Sequence, residues 1–355
     1  MNRKKLIALA VAALAGAASA QTSSLTVFGV ADAAVRRANT DGVGGITSLV
    51  SGSYSSARFG FRGVEDLGGG LSASFWLESF LNLDSGAITP AGFQRRSTVS
   101  LASRNWGELR LGRDYTPTHS SWARYDPFGY VGIGAVQLLI LSATGNTPVT
   151  YAFGANPNTV QRVSNGVQYF LPRNDWGVEG QIVHAFREGG TTANDQHQTT
   201  GGRIGVTKGA FSVSLAHMRT HNDLTFGYFK DTALAGSFDA GVARVSGGIR
   251  RLEYLSAKQD NYLLAAVVPL GVHELKASWN RADMSGAVRN TSIENDRADQ
   301  YAVGYVYNLS KRSRLYATYA TIHNKGGSRF VVPGAPAGTA GATSKGVEMG
   351  VNHDF

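Results

Sequence analysis

The chain has 355 residues, 43% of them hydrophobic, with 44 Gly, no Cys and a formal net charge of +9. Without cysteine there is no disulfide, no thiol nucleophile and no cysteine-ligated metal. Beyond the first twenty residues no segment reaches the ~18 uninterrupted apolar residues that a membrane-spanning helix needs. The mean hydropathy of −0.13 still fits a transmembrane barrel, whose lipid-facing and lumen-facing residues cancel in any average.

The chain opens on Met1-Asn2-Arg3-Lys4-Lys5, an apolar run from Leu6 to Ala18, and Ala18-Ser19-Ala20. A basic head, a short apolar stretch and a small-x-small site read as a secretory signal peptide cleaved after Ala20. That divides the chain into residues 1–20 and a single unit, residues 21–355. An exported chain without a spanning helix is free in the periplasm, secreted, or a barrel.

From there short alternating segments recur, divided by Gly, Asn, Asp and Pro. Phe211, Val213 and Leu215 alternate with Ser212, Ser214 and Ala216; Tyr301, Val303, Tyr305, Tyr307 and Leu309 alternate with Ala302, Gly304 and Asn308. A two-residue period marks strands with one apolar and one polar face. Sixteen strands are predicted, starting near Leu25, Tyr54, Leu71, Phe93, Glu108, Val160, Trp176, Thr199, Phe211, Tyr228, Val242, Asp260, Glu274, Ala298, Ser313 and Lys345. Tight connections at 66–70, 105–107, 208–210, 269–272 and 310–312 read as hairpin turns. Long ones are expected at 39–52, 84–91, 115–147, 188–196, 283–296 and 324–343. Short and long connections alternate, as in an up-and-down barrel with short periplasmic turns and long external loops. An even strand count returns both ends to one side.

The last strand sets Val347, Met349, Val351 and Phe355 on one face and Glu348, Gly350, Asn352 and Asp354 on the other. It ends on an aromatic residue, the mark by which bacterial assembly machinery reads a terminal barrel strand, so Phe355 is the expected assembly signal. Of the basic residues after Ala20, 24 are Arg and seven are Lys. Arginine stays charged, stacks, and offers oxyanions a planar fork of donors. Between Arg58 and Arg113 there are seven Arg, no Lys and five acids.

Ser56-Ala57-Arg58-Phe59-Gly60-Phe61-Arg62-Gly63, Arg95-Arg96-Ser97-Thr98-Val99, Gly107-Glu108-Leu109-Arg110-Leu111-Gly112-Arg113 and Gly304-Tyr305-Val306-Tyr307-Asn308-Leu309 resemble, in order, the pattern of Gram-negative general porins, nearest the anion-selective ones. The resemblance implies an all-β, transmembrane antiparallel barrel of 16 strands assembled as a homotrimer, with the third external loop folded into the lumen. Here that loop is 115–147, and an unstructured connection of ~30 residues is unusual unless functional. The resemblance further implies a pore constriction. Arg58 and Arg113 match its positions by motif, and Arg162 matches another in the following strand. Arg62 shares the lumen parity of Arg58. For the adjacent pair, resemblance favours Arg95 inward, whereas alternation with Val99 and Leu101 favours Arg96; both are retained. Asp126 is the one acid on the loop, which lacks the family's familiar Pro-Glu-Phe-Gly-Gly type motif.

The expected function is a passive, water-filled outer-membrane pore for small hydrophilic solutes that prefers anions. Its partners are outer-membrane lipid and lipopolysaccharide, the outer-membrane assembly machinery and the solutes themselves; no nucleic-acid motif and no cofactor is expected. Rival readings are a barrel protease or phospholipase and a substrate-specific anion channel. His217 and His221 do not make a metal site, because four residues along a strand place them ~13 Å apart. No Gly-x-Ser-x-Gly elbow or phosphate loop is present.

Overall fold

In the computed structural model, residues 23–88, 92–141, 145–154, 157–187, 197–222 and 227–355 are described. The expected signal peptide and the connection at 188–196 lie outside them. The chain forms β1 (Ser23–Thr40), then β2 in two segments (Gly44–Ser51 and Arg58–Gly68), β3 (Leu71–Phe80), β4 (Arg96–Ser103), β5 (Gly107–Tyr115), β6 (Arg162–Phe170), β7 (Val178–Ala185) and β8 (Thr199–Lys208). It continues with β9 (Phe211–His221), β10 (Tyr228–Asp239), β11 (Arg244–Tyr254), β12 (Ala257–Leu270), β13 (His273–Ser285), β14 (Arg297–Asn308), β15 (Ser313–Lys325) and β16 (Thr343–Asp354). Each pairs antiparallel with the next, and β16 returns to β1 from Val30↔Asp354 to Thr40↔Ser344. The sheet has 17 segments, two of which are halves of β2 on successive stretches of β1. The result is a closed barrel of sixteen strands, which leaves no sheet edge unpaired in lipid.

The two faces reverse the polarity of a water-soluble barrel. Val99, Leu101, Ile182, Ile204, Leu215, Leu264, Val303 and Val351 are exposed on the outside, while Ser100, Gln168, Ser214, Gln259, Gln300 and Asn352 are buried inside. Alternation along each strand sorts them. The turns at one end are tight: Gly68, Gly69 and Gly70 follow one another with φ of 81°, 61° and 81°, a left-handed run that side chains with a Cβ resist.

Two expectations about the other end need correction. The stretch 39–52 is not a long loop. β1 runs to Thr40 and β2 already begins at Gly44, with a three-residue turn between. Sparse apolar residues (Ile46, Leu49) among Gly and Ser hid this hairpin. The connection after β5 runs to residue 161, not 147, and it is built rather than structureless. It carries α1 (Pro117–Ala123), a 3-10 turn (Val136–Leu139), α2 (Pro148–Phe153) and a second 3-10 turn (Pro157–Val160). Thr116 caps α1 through the N–H of His119, and Thr147 with Thr150 forms a capping box on α2. Each helix has Pro in its first turn, where no N–H is needed.

Candidate functional site

The described residues of the connection 116–161 are bound to the inner wall at several points. Ser121 Oγ meets Ser214 Oγ at 2.9 Å on β9, and Thr118 Oγ1 donates to Asp231 Oδ2 at 2.7 Å on β10. Gln259 on β12 and Gln300 on β14 donate to the carbonyls of Leu139 (2.6 Å) and Ile133 (3.0 Å). On β16, Glu348 accepts from the N–H of Ile133 at 3.2 Å. Asp231 also receives Arg250 Nε and Nη2 at 2.9 and 2.7 Å, and Arg250 Nη1 donates to the Tyr130 hydroxyl at 3.1 Å. Arg250 is fully buried, so this fork-to-carboxylate pair satisfies a charge that would be costly alone. Trp122, Tyr125, Val136, Ile140 and Phe153 of the connection pack with Phe229, Ala233, Leu252, Tyr254 and Leu263 of β10–β12. One side of the lumen is thereby filled with an apolar core.

The open space remains against β1–β6 and, across the seam, β13, β15 and β16. A cavity of about 920 Å³ is lined by Arg58, Arg62, Arg95, Arg96, Arg162, Lys276 and Arg314, with Glu78, Asp126 and Asp354 as its acids. Seven cations against three carboxylates give the cavity a net positive wall, whose field low-dielectric surroundings strengthen.

Two of these arginines meet at one acid, and a third joins them through Arg95 and Tyr115. Arg95 Nε donates to Glu78 Oε1 at 2.5 Å, and Arg58 Nε stands 3.8 Å from the same oxygen. Arg162 Nε donates to the Arg95 carbonyl at 2.9 Å, and the Nη2 atoms of Arg95 and Arg162 both donate to the Tyr115 hydroxyl at 3.0 Å. Phe80 lies under Arg95 at 4.7 Å and Tyr115 under Arg162 at 4.5 Å, so aromatic faces hold both guanidinium planes. The choice between Arg95 and Arg96 resolves into both. Glu78 faces Arg96 in the ladder, yet its carbonyl accepts from the N–H of Arg95 at 3.0 Å. Two residues thus oppose one, as in a bulge. Arg96 stacks on Trp76 at 4.5 Å and lies 3.5 Å from Asp114. Arg62 lies between Phe28 (5.6 Å) and Trp76 (5.4 Å), with no hydrogen bond or ion pair among the described residues.

Arg113 departs from its expected place. A register shift between Gly112 and Asp114 interrupts β5 there. Its Nε donates to the Gln94 carbonyl at 2.6 Å and its Nη1 to Ser164 Oγ at 2.7 Å. It is not among the residues lining the cavity; a motif match cannot register a bulge.

Asp126 reaches the cavity wall, but its oxygens are committed to the loop. They accept from the N–H groups of Phe128 (2.9 Å), Tyr130 (3.1 Å) and Val136 (3.1 Å). Burial pushes its carboxyl up to about 6 against those bonds. His119 stacks on Tyr115 at 4.4 Å; burial first, then the charges of Arg162, Arg250 and Arg95, hold its pKa well below the ordinary value. Sequence reasoning missed Lys276 and Arg314. Both sit on the ring of Tyr54, at 4.6 and 5.1 Å. Their parity, opposite to Leu275 and Leu315, was a usable signal.

A closed sheet, apolar outside, enclosing a water-accessible cationic cavity narrowed by an internal connection defines a transmembrane β-barrel channel. The chain belongs to the Gram-negative porin family, whose model matches residues 7–327, and it is an outer-membrane protein. It is 37% identical to outer membrane porin protein 32 of Delftia acidovorans, over 99% of this chain and 100% of that one. It is 25% identical to major outer membrane protein P.IB of Neisseria meningitidis serogroup B, over 99% and 100%. Among solved structures it resembles the anion-selective porin from Comamonas acidovorans, with a TM-score of 0.81 and 33% identity over 94% of this chain and 100% of that one.

Proposed function

We propose that this porin is an anion-preferring, passive diffusion pore for small hydrophilic solutes and carries no catalysis. The observation that carries the reading is the cavity in which seven cations face three acids; the name of its anion-selective relative agrees with it. Arg58, Arg95, Arg96 and Arg162 form the narrow stretch, Arg62 lies beyond it, and Asp126 shapes the loop that bounds it. Reversal potential in a KCl gradient tests this. Wild type reads anion-selective, less so as salt rises, because the Debye length shrinks from ~10 Å at 0.1 M to ~3 Å at 1 M. Arg58→Ala with Arg162→Ala lowers the anion/cation permeability ratio more than Arg289→Ala with Arg329→Ala on the loops. Equal effects would mean that diffuse net charge sets the preference. Lipid-hydrolysis and peptide-cleavage assays on the same sample address the enzyme alternative, and activity there overturns the passive reading.

The proposal extends to processing and partners. Residues 1–20 are a cleaved export signal, and 21–355 the barrel unit. The assembly is a homotrimer, with Gly29, Ala31 and Ala33 of β1 giving a face of small residues to a neighbour; a monomer by native mass in mild detergent overturns it. Phosphorylated outer-leaflet lipid, lipopolysaccharide included, is the partner of the loop-side outer rim. There Arg219 and Lys230 are exposed cross-strand partners, and Arg219 lies 4.2 Å over Tyr228. Like charges directly opposite repel, and an anion between them removes the penalty. Arg219→Glu with Lys230→Glu should lose co-purifying phosphorylated lipid at unchanged conductance; unchanged lipid content refutes that contact.

A further inference from the structure

Between Val30, which pairs with Arg58, and Ala33, which pairs with Ser51, β1 has only two residues, Ala31 and Asp32. On β2 the six residues 52–57 span the same gap, so the strand must leave the sheet. Their N–H groups lose ladder partners, and each buried N–H needs an acceptor. One residue supplies four of them in succession. The Asp32 carbonyl accepts from the N–H of Gly52 at 2.9 Å. Its Oδ1 accepts from the N–H of Ser53 at 3.0 Å, and its Oδ2 from those of Tyr54 (3.2 Å) and Ser55 (2.9 Å). Gly52 enters the excursion at φ +77°, and a Cβ there would stand 2.8 Å from the Ala57 nitrogen.

The same carboxylate reaches the other side of the barrel seam. Tyr316 Oη on β15 donates to Oδ1 at 2.6 Å, and Asn352 Nδ2 on β16 to Oδ2 at 2.9 Å. Asp32 is fully buried and has five donors on two oxygens. The excursion it shapes holds cavity cations. Arg58 Nη1 donates to Ser55 Oγ at 3.1 Å and to the Ser56 carbonyl at 3.0 Å. Tyr54 seats the ammonium of Lys276 and the guanidinium of Arg314, and its ring rests on Tyr316 at 5.5 Å.

We propose that Asp32 is a positioning residue for anion selectivity: by gathering the N–H groups of 52–55 it fixes the inward excursion of β2, and through it the places of Arg58, Lys276 and Arg314. It touches no permeating ion. The proposal rests on the cationic cavity being the conducting path.

The test is Asp32→Asn. An amide in place of the carboxylate turns an N–H donor toward at least one of the three side-chain-bound N–H groups. The expected result is a roughly twofold fall in the anion/cation permeability ratio at 0.1 M KCl, the scale of one displaced wall charge, in a barrel that still runs folded on an unheated gel. In an Arg58→Ala background the same substitution should add less than it does alone, because part of its effect passes through Arg58. A structural role alone would lower heat resistance without this non-additivity. Tyr316→Phe, which spares all four backbone bonds, should leave the ratio near wild type. An unchanged ratio in folded Asp32→Asn, or full additivity with Arg58→Ala, overturns the proposal. Should Asp32→Asn not fold, Ser55→Ala with Tyr54→Leu carries the test, since those side chains are the links to the three cations; an unchanged ratio there overturns it equally. A wild-type channel without anion preference would instead refute the pore reading itself, before any variant is compared.

Discussion

Arg62 and Arg162 line one cavity but are held differently, and their removal should read differently. Arg162 makes three hydrogen bonds and lies on Tyr115. Its loss takes the donor from the Arg95 carbonyl and from Gln161 Oε1, each unmade bond costing about 1–3 kcal/mol, while the Tyr115 hydroxyl keeps Arg95. Arg62 has only its two rings among the described residues. Arg162→Ala should lower both the permeability ratio and the temperature at which the folded gel band is lost; Arg62→Ala should lower the ratio alone. Parallel losses of heat resistance would contradict this. Asp126 gives the residue-scale pH dependence. Its carboxyl sits at about 6 because of burial, above the unfolded range. The cost of its buried charge is therefore complete above pH 6. As pH falls from 6 toward 4 the native state takes the proton first, and stability from this group rises, by about 3 kcal/mol at most at 1.36 kcal/mol per pH unit. Against Asp126→Asn, wild type should gain heat resistance on acidification from pH 7 to 4.5. Equal slopes would mean that Asp126 is ionised throughout. His119, whose pKa burial holds well below the ordinary value, works the other way: on acidification the unfolded ring takes its proton first, so this group lowers stability, and it does so in wild type and Asp126→Asn alike.

At the scale of elements, the internal connection is only as firm as its wall anchors. Asp231 joins Thr118 to Arg250. Asp231→Ala leaves the buried guanidinium unpaired, about 3–5 kcal/mol, and frees α1. Single-channel records should then show added open-state noise and a wider conductance, with lower heat resistance; quiet, wild-type-like openings would show that the apolar packing alone holds the connection. These anchors also mark the limit of what was legible in sequence. The strands were readable, because alternation such as Phe211 to Ala216 depends only on neighbours. Arg58, Arg62 and Arg162 were readable by parity and motif. The hairpin at Thr40 and Gly44 was not, since Gly and Ser carry little alternation. The helical turns of 116–161 were hidden because their apolar residues answer to a wall far along the chain, on β10–β12, and bulges at Arg95 and Gly112 cannot be read from a two-residue period.

For the whole molecule, closure depends on the two chain ends meeting. Phe355 pairs with Gly29 through both backbone bonds, at 3.0 and 3.1 Å, while its ring stays half exposed on the outside. It borders the cavity at its rim without adding a charge to the wall, so removing it should reduce delivery of folded barrel to the outer membrane far more than it changes conductance of the molecules that arrive. Normal outer-membrane levels of a chain lacking Phe355 would rule out its part in assembly.

The strapped connection also imposes a sequence of events in time. Thr118 waits for Asp231, 113 residues later; Leu139 for Gln259, 120 later; Ile133 for Gln300 and Glu348, 167 and 215 later. Such distant partners are slow to meet, because chain closure precedes any reward. Until β10–β12 are in place, Trp122, Ile140 and Phe153 have no oily wall to cover them. The last strap, from Ile133 to Glu348, can form only with the closing strand, so the gateway takes its final width no earlier than the seam.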